Sequence, residues 1–197
     1  MVKVLITGVT GQDGAYLAKD LIEKNYTVYG SMRRGASPKT QRLVELGIIK
    51  DINFVSLELT EFANVFNVLR EIKPDYIYNL AAQSFVADSF IHPHLTSEIN
   101  YFGVLNLLEA IRLNKMDVNF YQASTSEMYG RILDKIQDEE TPFNPISPYG
   151  LSKLAFESRN EISEILSQKN GRLIVVVGPC SIHDPEAALD YANKLLE

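Results

Sequence analysis

Val2-Lys3-Val4-Leu5-Ile6-Thr7-Gly8-Val9-Thr10-Gly11-Gln12-Asp13-Gly14 is the stretch that decides the fold. An apolar, β-branched run ends at glycine, and Gly8, Gly11 and Gly14 follow at a three-residue spacing before a helical pattern begins. That order is the first strand-to-helix turn of a dinucleotide-binding sheet. Glycine permits the tight turn and lets the backbone approach a pyrophosphate, whose charge then rests on free N–H groups at the helix start. Three glycines alone are weak evidence; a strand before them and a helix after them make the signal specific.

Outward from this loop, short β-branched runs alternate with helical patterns. The strands are expected at Val2–Thr7, Tyr26–Ser31, Ile52–Leu57, Tyr76–Leu80, Val118–Ala123 and Leu173–Val177. Helices are expected at Gln12–Lys24, Lys39–Leu46, Glu61–Ile72, Leu95–Leu113 and Pro148–Ser167. In the first helix Ala15, Ala18, Leu21 and Ile22 share one face, the spacing of a core-facing stripe. Apolar strands alternating with helices predict an α/β class: a doubly wound parallel sheet of the Rossmann kind, about six strands with helices on both faces. Ligands of such a sheet lie beyond the carboxyl ends of its strands. That rule singles out Gly8–Gly14, Met32–Arg34, Ala81–Ser84 and Ser124–Tyr129.

Composition narrows the function. The chain has 197 residues, 46% hydrophobic and 22% charged, enough for one α/β domain with a sizeable core. A net charge of −6, with no basic run, argues against a nucleic-acid partner. No apolar stretch approaches the roughly 18 residues of a membrane span. The single cysteine, Cys180, leaves no internal disulfide and suits a reducing compartment, so the expected setting is cytoplasmic.

Two constellations carry chemistry. The second strand ends in Ser31-Met32-Arg33-Arg34, where a site for NAD usually offers an acid to the ribose 2′-hydroxyl. Paired guanidiniums match a 2′-phosphate instead, so NADP is the expected cofactor. In Ser147-Pro148-Tyr149-Gly150-Leu151-Ser152-Lys153, a tyrosine and a lysine stand at i and i+4 of a helix started by a Ser147 cap and Pro148. An ammonium beside a phenol lowers its pKa and prepares it to accept a proton during hydride transfer. Tyr-x-x-x-Lys alone is a common accident, but here it falls one element after Ala123-Ser124-Thr125-Ser126-Glu127, at a strand end. Thr125 is placed to bond a substrate hydroxyl, and Glu127 to act as general acid or base.

Several motifs carry a family resemblance over about residues 1–154: TGVTGQDGAYLA, MRRGAS, YNLAAQSFVADSF, HPHLTSEINYFGVLNLLEAIR, FYQASTSEMYG and TPF…SPYGLSK. Together they resemble the GDP-mannose 4,6-dehydratase family, within the extended short-chain dehydrogenases/reductases. The resemblance implies a tightly held NADP, a GDP-hexose substrate and a lyase reaction without net redox change. Tyr149 is then the base that starts oxidation at C4 of the sugar, supported by Lys153. Glu127 removes the C5 proton, water leaves C6 with help from Thr125, and the hydride returns to C6. Gly8, Thr10, Gly11, Gln12, Asp13 and Gly14 match the pyrophosphate loop. Glu58-Leu59 stands beside the adenine, and Leu80, Ala81, Ala82 and Ser84 form the wall along ribose and nicotinamide. The chain departs from the family at Ile146, usually arginine, and at Glu58, usually aspartate. The resemblance also implies self-association through the helices around Leu95–Leu113 and Pro148–Ser167.

From about residue 157 onward the sequence resembles a different family. GRLIVVVGPCSIHDPEAALDYANKLLE is similar to the opening of the 3-deoxy-arabino-heptulosonate phosphate synthase barrel. In that family the cysteine helps bind a divalent metal. Cys180 and His183 are too few ligands for such a site, and no metal is expected. The run Leu173–Val177 suits a sixth buried strand, and Asp184-Pro185-Glu186 starts a helix by cap, proline and acid. The expected organisation is a chimera: one NADP-binding domain over 1–197, built from a dehydratase-like segment (1–155) and a helix–strand–helix segment (156–197), without a substrate domain. The leading function is dehydration of a GDP-hexose, impaired for want of that domain. The alternative is an NADP-binding module without turnover.

Overall fold

A computed structural model of the chain describes residues 1–33, 35, 39–131, 137, 141–157 and 173–176, with 156, 157 and 173–176 as backbone only. The strands are β1 (Lys3–Thr7), β2 (Thr27–Met32), β3 (Asn53–Ser56), β4 (Tyr76–Asn79), β5 (Asn119–Ala123) and β6 (Leu173–Val176). Among the described residues they form one sheet in the order β3-β2-β1-β4-β5-β6, with every adjacent pair parallel. The order reverses direction between β1 and β4, which opens a crevice at their carboxyl ends.

The helices are α1 (Gln12–Glu23), α2 (Gln41–Glu45), α3 (Phe62–Ile72), α4 (Val86–Ile91), α5 (Pro93–Ser97), α6 (Gly103–Leu113) and α7 (Pro148–Glu157). β1 is buried on both faces. Val4 and Ile6 join Ala15, Ala18 and Leu21 of α1 in one core, while Leu5 joins Leu69 of α3 and Leu107 of α6 in the other. Strand alternation thus splits three consecutive apolar residues between two cores.

On the α3/α6 face the register aligns side chains in rows. Leu5, Ile77 and Phe120 stand level across β1, β4 and β5, and Thr7, Asn79 and Gln122 form the next row toward the crevice. β6 continues the pairing, with Leu173 opposite Phe120 and Val175 opposite Gln122.

Two expected helices need correction, and one helix was not expected. The pattern over Leu95–Leu113 is not one helix: α5 ends at Ser97, a π-helical turn covers Glu98–Phe102, and α6 begins at Gly103. The widened turn coincides with buried Asn100, whose amide accepts from the Gln83 N–H at 2.9 Å and donates to Ser152 Oγ at 3.2 Å. α4 was not foreseen, because its six residues are too short for periodicity and Phe90 and Ile91 point outward. The helix expected at Lys39–Leu46 shrinks to Gln41–Glu45. α7 is described as far as Glu157; the remainder expected to Ser167, the helix from Asp184, Cys180 with His183, and Arg34 lie outside the described residues. No helix among the described residues is long and apolar enough to cross a membrane.

Candidate functional site

The glycine loop is built by close approach. Gly8 adopts φ +71°, and a Cβ there would stand 3.0 Å from the Ala81 nitrogen at the end of β4. A Cβ on Gly14 would collide with the Gly8 carbonyl oxygen, so α1 can seat against the loop only through glycine. The Gly11 N–H donates to the Gly8 carbonyl at 2.9 Å, and Gly11 then caps α1 with no side-chain bond to its first-turn N–H groups. Those N–H groups and the helix dipole are what an anion needs. Gln12 and Asp13 are exposed in this first turn. Sequence reasoning missed Arg42 of α2, whose Nη1 donates to the Thr10 carbonyl at 3.2 Å and braces the loop from outside.

A cavity of about 730 Å³ opens over this loop. Gly8, Thr10 and Gly11 form its floor; Leu80, Ala81, Ala82 and Ser84, after β4, form one wall. Arg33, Glu58 and Leu59 close the opposite side, joined by Lys39, which the sequence reading did not single out. Arg33 is 64% exposed, and its Nε stands 3.7 Å from a Glu58 carboxylate oxygen. Glu58 therefore faces both the Arg33 guanidinium and the cavity. Gln12, Asp13 and Gly14 are not among the cavity's walls; they lie behind the loop, on α1.

The four candidate reacting residues gather at the end of β5. Thr125 is fully buried, and its Oγ1 accepts from the Glu127 N–H at 3.3 Å, starting a short 3-10 turn over Ser126–Met128. α7 packs on this turn. Its start is capped as expected, the Ser147 Oγ accepting from the Gly150 N–H at 3.0 Å. Tyr149 and Lys153 are 5% and 4% exposed, and neither they nor Thr125 and Glu127 line the cavity. The Tyr149 N–H donates to Ser89 Oγ of α4 at 3.2 Å, and Lys153 Nζ donates to the Ala123 carbonyl at 3.0 Å. Coenzyme-loop residues and reacting candidates thus occupy adjoining regions of one sheet edge. Ile146 is half exposed beside them.

Beneath both regions runs a row of buried polar groups that the sequence did not announce. Thr7 Oγ1 accepts from the Ala81 N–H at 3.1 Å and donates to Asn79 Oδ1. Asn79 Nδ2 donates to Gln122 Oε1 at 2.6 Å, and Gln122 Nε2 donates to the Ala123 carbonyl at 2.9 Å. Thr7 and Asn79 are fully buried and Gln122 nearly so, and a buried amide without partners costs about 1–3 kcal/mol. Among the described residues no group of three or more His, Cys, Asp or Glu is placed to hold a metal.

A parallel sheet with this strand order and a glycine loop at its first turn defines the dinucleotide-binding Rossmann class of the short-chain dehydrogenases/reductases. The family model described as GDP-mannose 4,6 dehydratase matches residues 5–165, and the chain belongs to that family. A second model, of the DAHP synthetase I family, matches residues 148–197 and so overlaps the first on α7. A GDP-mannose 4,6-dehydratase of Vibrio cholerae is 47% identical over 159 residues, 77% of this chain and 43% of the relative. The chain therefore spans less than half the length of the curated relatives it matches. Among solved structures, the UDP-Glc/GlcNAc 4-epimerase of Campylobacter jejuni has a TM-score of 0.79 at 22% identity, covering 89% of this chain and 52% of that one. The UDP-glucose 4-epimerase of Thermus thermophilus, solved as a complex with NAD, has a TM-score of 0.74 at 28% identity and covers 96% of this chain and 61% of that one.

Proposed function

We propose that the chain binds NADP across the carboxyl ends of β1, β2 and β4 and carries the reacting residues of an NADP-dependent GDP-hexose dehydratase. The observation that carries this reading is the cradle itself: glycine at 8 and 14 lets the loop close against Ala81 and α1, and Gly8, Thr10 and Gly11 line a cavity bordered by Arg33, at the start of a helix with no side-chain cap. A diphosphate fits that donor set, and a 2′-phosphate fits Arg33, Lys39 and, from the sequence, Arg34. The nicotinamide of such a coenzyme supplies reversible hydride acceptance.

The chain's residues divide the remaining work. Tyr149 takes the proton of the sugar's C4 hydroxyl, and the Lys153 ammonium at i+4 supports its phenolate. Glu127 removes the C5 proton, and Thr125 bonds the hydroxyl that leaves from C6. Loop, Ala81–Ser84 wall and 3-10 turn follow the carboxyl ends of the paired strands β1, β4 and β5, which brings these groups to one end of the sheet. The product expected from GDP-mannose is the 4-keto-6-deoxy sugar.

A second reading is a binding module that holds the coenzyme without turnover. Its support is that Thr125, Glu127, Tyr149 and Lys153 do not line the cavity over the glycine loop. In both readings residues 1–155 and 156–197 form one domain, its outer strand contributed by a segment of synthase-like sequence. Calorimetry with NADPH and NADH tests the shared claim; no NADPH binding at millimolar concentration by folded protein ends it. Chromatography of a GDP-mannose incubation then separates the readings by presence or absence of product. A cytoplasmic setting and self-association complete the proposal, checked by fractionation and sedimentation.

A further inference from the structure

Gln122 is a buried amide in the polar row it shares with Thr7 and Asn79, next to apolar core. Phe120 precedes it on the same face, and Val175 of β6 is its register partner. A buried amide at such a place is tolerated only if its hydrogen bonds are met.

The bonds also fix which way the amide faces. Thr7 accepts the Ala81 N–H and so turns its own proton to Asn79 Oδ1. Asn79 must then present its NH₂ to Gln122, which answers with Oε1 and leaves Nε2 aimed at the Ala123 carbonyl. A flipped Gln122 would set two NH₂ groups face to face. The orientation is therefore dictated in sequence from the glycine-loop strand to the end of β5. The Ala123 carbonyl accepts a second donor, Lys153 Nζ, at 3.0 Å. A carbonyl has two lone pairs, and both are engaged here.

We propose that Gln122 is a positioning residue for Lys153. Its amide, held by Asn79 and through it by Thr7, anchors the shared Ala123 carbonyl and thereby fixes where the buried ammonium stands. The flexible four-carbon stem of lysine does not do this by itself. A coenzyme lying across the sheet would have its adenosine half beside Arg33 and the glycine loop, with its nicotinamide half directed toward Tyr149 and Lys153 at the end of β5. Lys153 serves the second half only. This rests on the coenzyme reading given above, and it adds a role for a residue that touches neither coenzyme nor sugar.

The test compares two ligands on the 197-residue chain: NADPH, which spans both halves, and 2′,5′-ADP, which fills only the adenosine half. Gln122→Leu is expected to weaken NADPH about five- to tenfold, the worth of about one ordinary hydrogen bond, and to leave 2′,5′-ADP within about twofold. In a Lys153→Met background the same change is expected to cost nothing further. Gln122→Asn keeps the amide but is one methylene too short to reach both neighbours; it is expected to show the same split and carries the test if the leucine variant does not fold. Equal weakening of both ligands, unchanged NADPH affinity, or an undiminished effect in the Lys153→Met background overturns the positioning role. Wild-type protein that binds neither ligand overturns the coenzyme reading instead.

Discussion

Gly150 of α7 lies against the carbonyl of Glu127: a Cβ added at Gly150 would stand 2.6 Å from that oxygen. The helix bearing Tyr149 and Lys153 is thus seated directly on the turn bearing Thr125 and Glu127. Gly150→Ala must lift one from the other. The expected cost is about 1–3 kcal/mol of stability, the usual penalty of overpacking, seen as a lower denaturant midpoint at unchanged slope. NADPH affinity should fall far less than product formation, because the glycine loop is untouched.

The same reasoning ranks substitutions in the loop. A Cβ on Gly14 collides with the Gly8 carbonyl, whereas one on Gly11 would approach the same oxygen only to 3.1 Å. Gly14→Ala is therefore expected to weaken NADPH and 2′,5′-ADP alike by about tenfold or more and to lower the melting temperature, consistent with about 1–3 kcal/mol of strain. Gly11→Ala should show a milder form of both effects. Calorimetry and thermal melts of the two variants check the order.

Substitutions at Arg33 and Glu58 should move NADPH affinity in opposite directions. Arg33→Ala combined with Arg34→Ala should cost NADPH about 10- to 100-fold, the value of charge-assisted hydrogen bonds, and leave NADH within about twofold. Glu58→Gln removes the carboxylate 3.7 Å from Arg33 and should raise NADPH affinity by up to about fivefold, the size of an exposed ion pair. Titrations at two salt concentrations check the assignment, since the gain should shrink as salt screens it.

If incubation with GDP-mannose yields the 4-keto-6-deoxy product, Glu127→Gln and Tyr149→Phe should each lower the rate by about 10²- to 10⁴-fold, the range of general acid–base catalysis. NADPH binding should change by less than about threefold in either variant. Product chromatography and coenzyme calorimetry on the same preparations separate the two effects.

The sheet was legible because short β-branched runs alternate with helical patterns along the chain, and that alternation leaves few arrangements. The glycine loop and the Tyr149/Lys153 pair were legible for a similar reason: a fixed local spacing is itself the mechanism. What escaped was tertiary. Nothing local marks Arg42 as a brace for the Thr10 carbonyl 32 positions away. Asn79 and Gln122 read as polar interruptions of strands until register places them side by side. The break at Glu98–Phe102 hides inside a continuous helical pattern, because a π turn inserts one residue without changing composition. Arg33 was found from its place at a strand end, but its pairing with Glu58 needed β3 beside β2.

β6 follows every residue of the loop, wall, turn and phenol-bearing helix, and contributes none of them. Its backbone hides the outer rim of β5, which would otherwise offer a row of bare amides and carbonyls to any passing chain. Chemistry and insulation are thereby separated along the chain: what this place beside β5 demands of its sequence is a short greasy ribbon running the same way, not a reacting group.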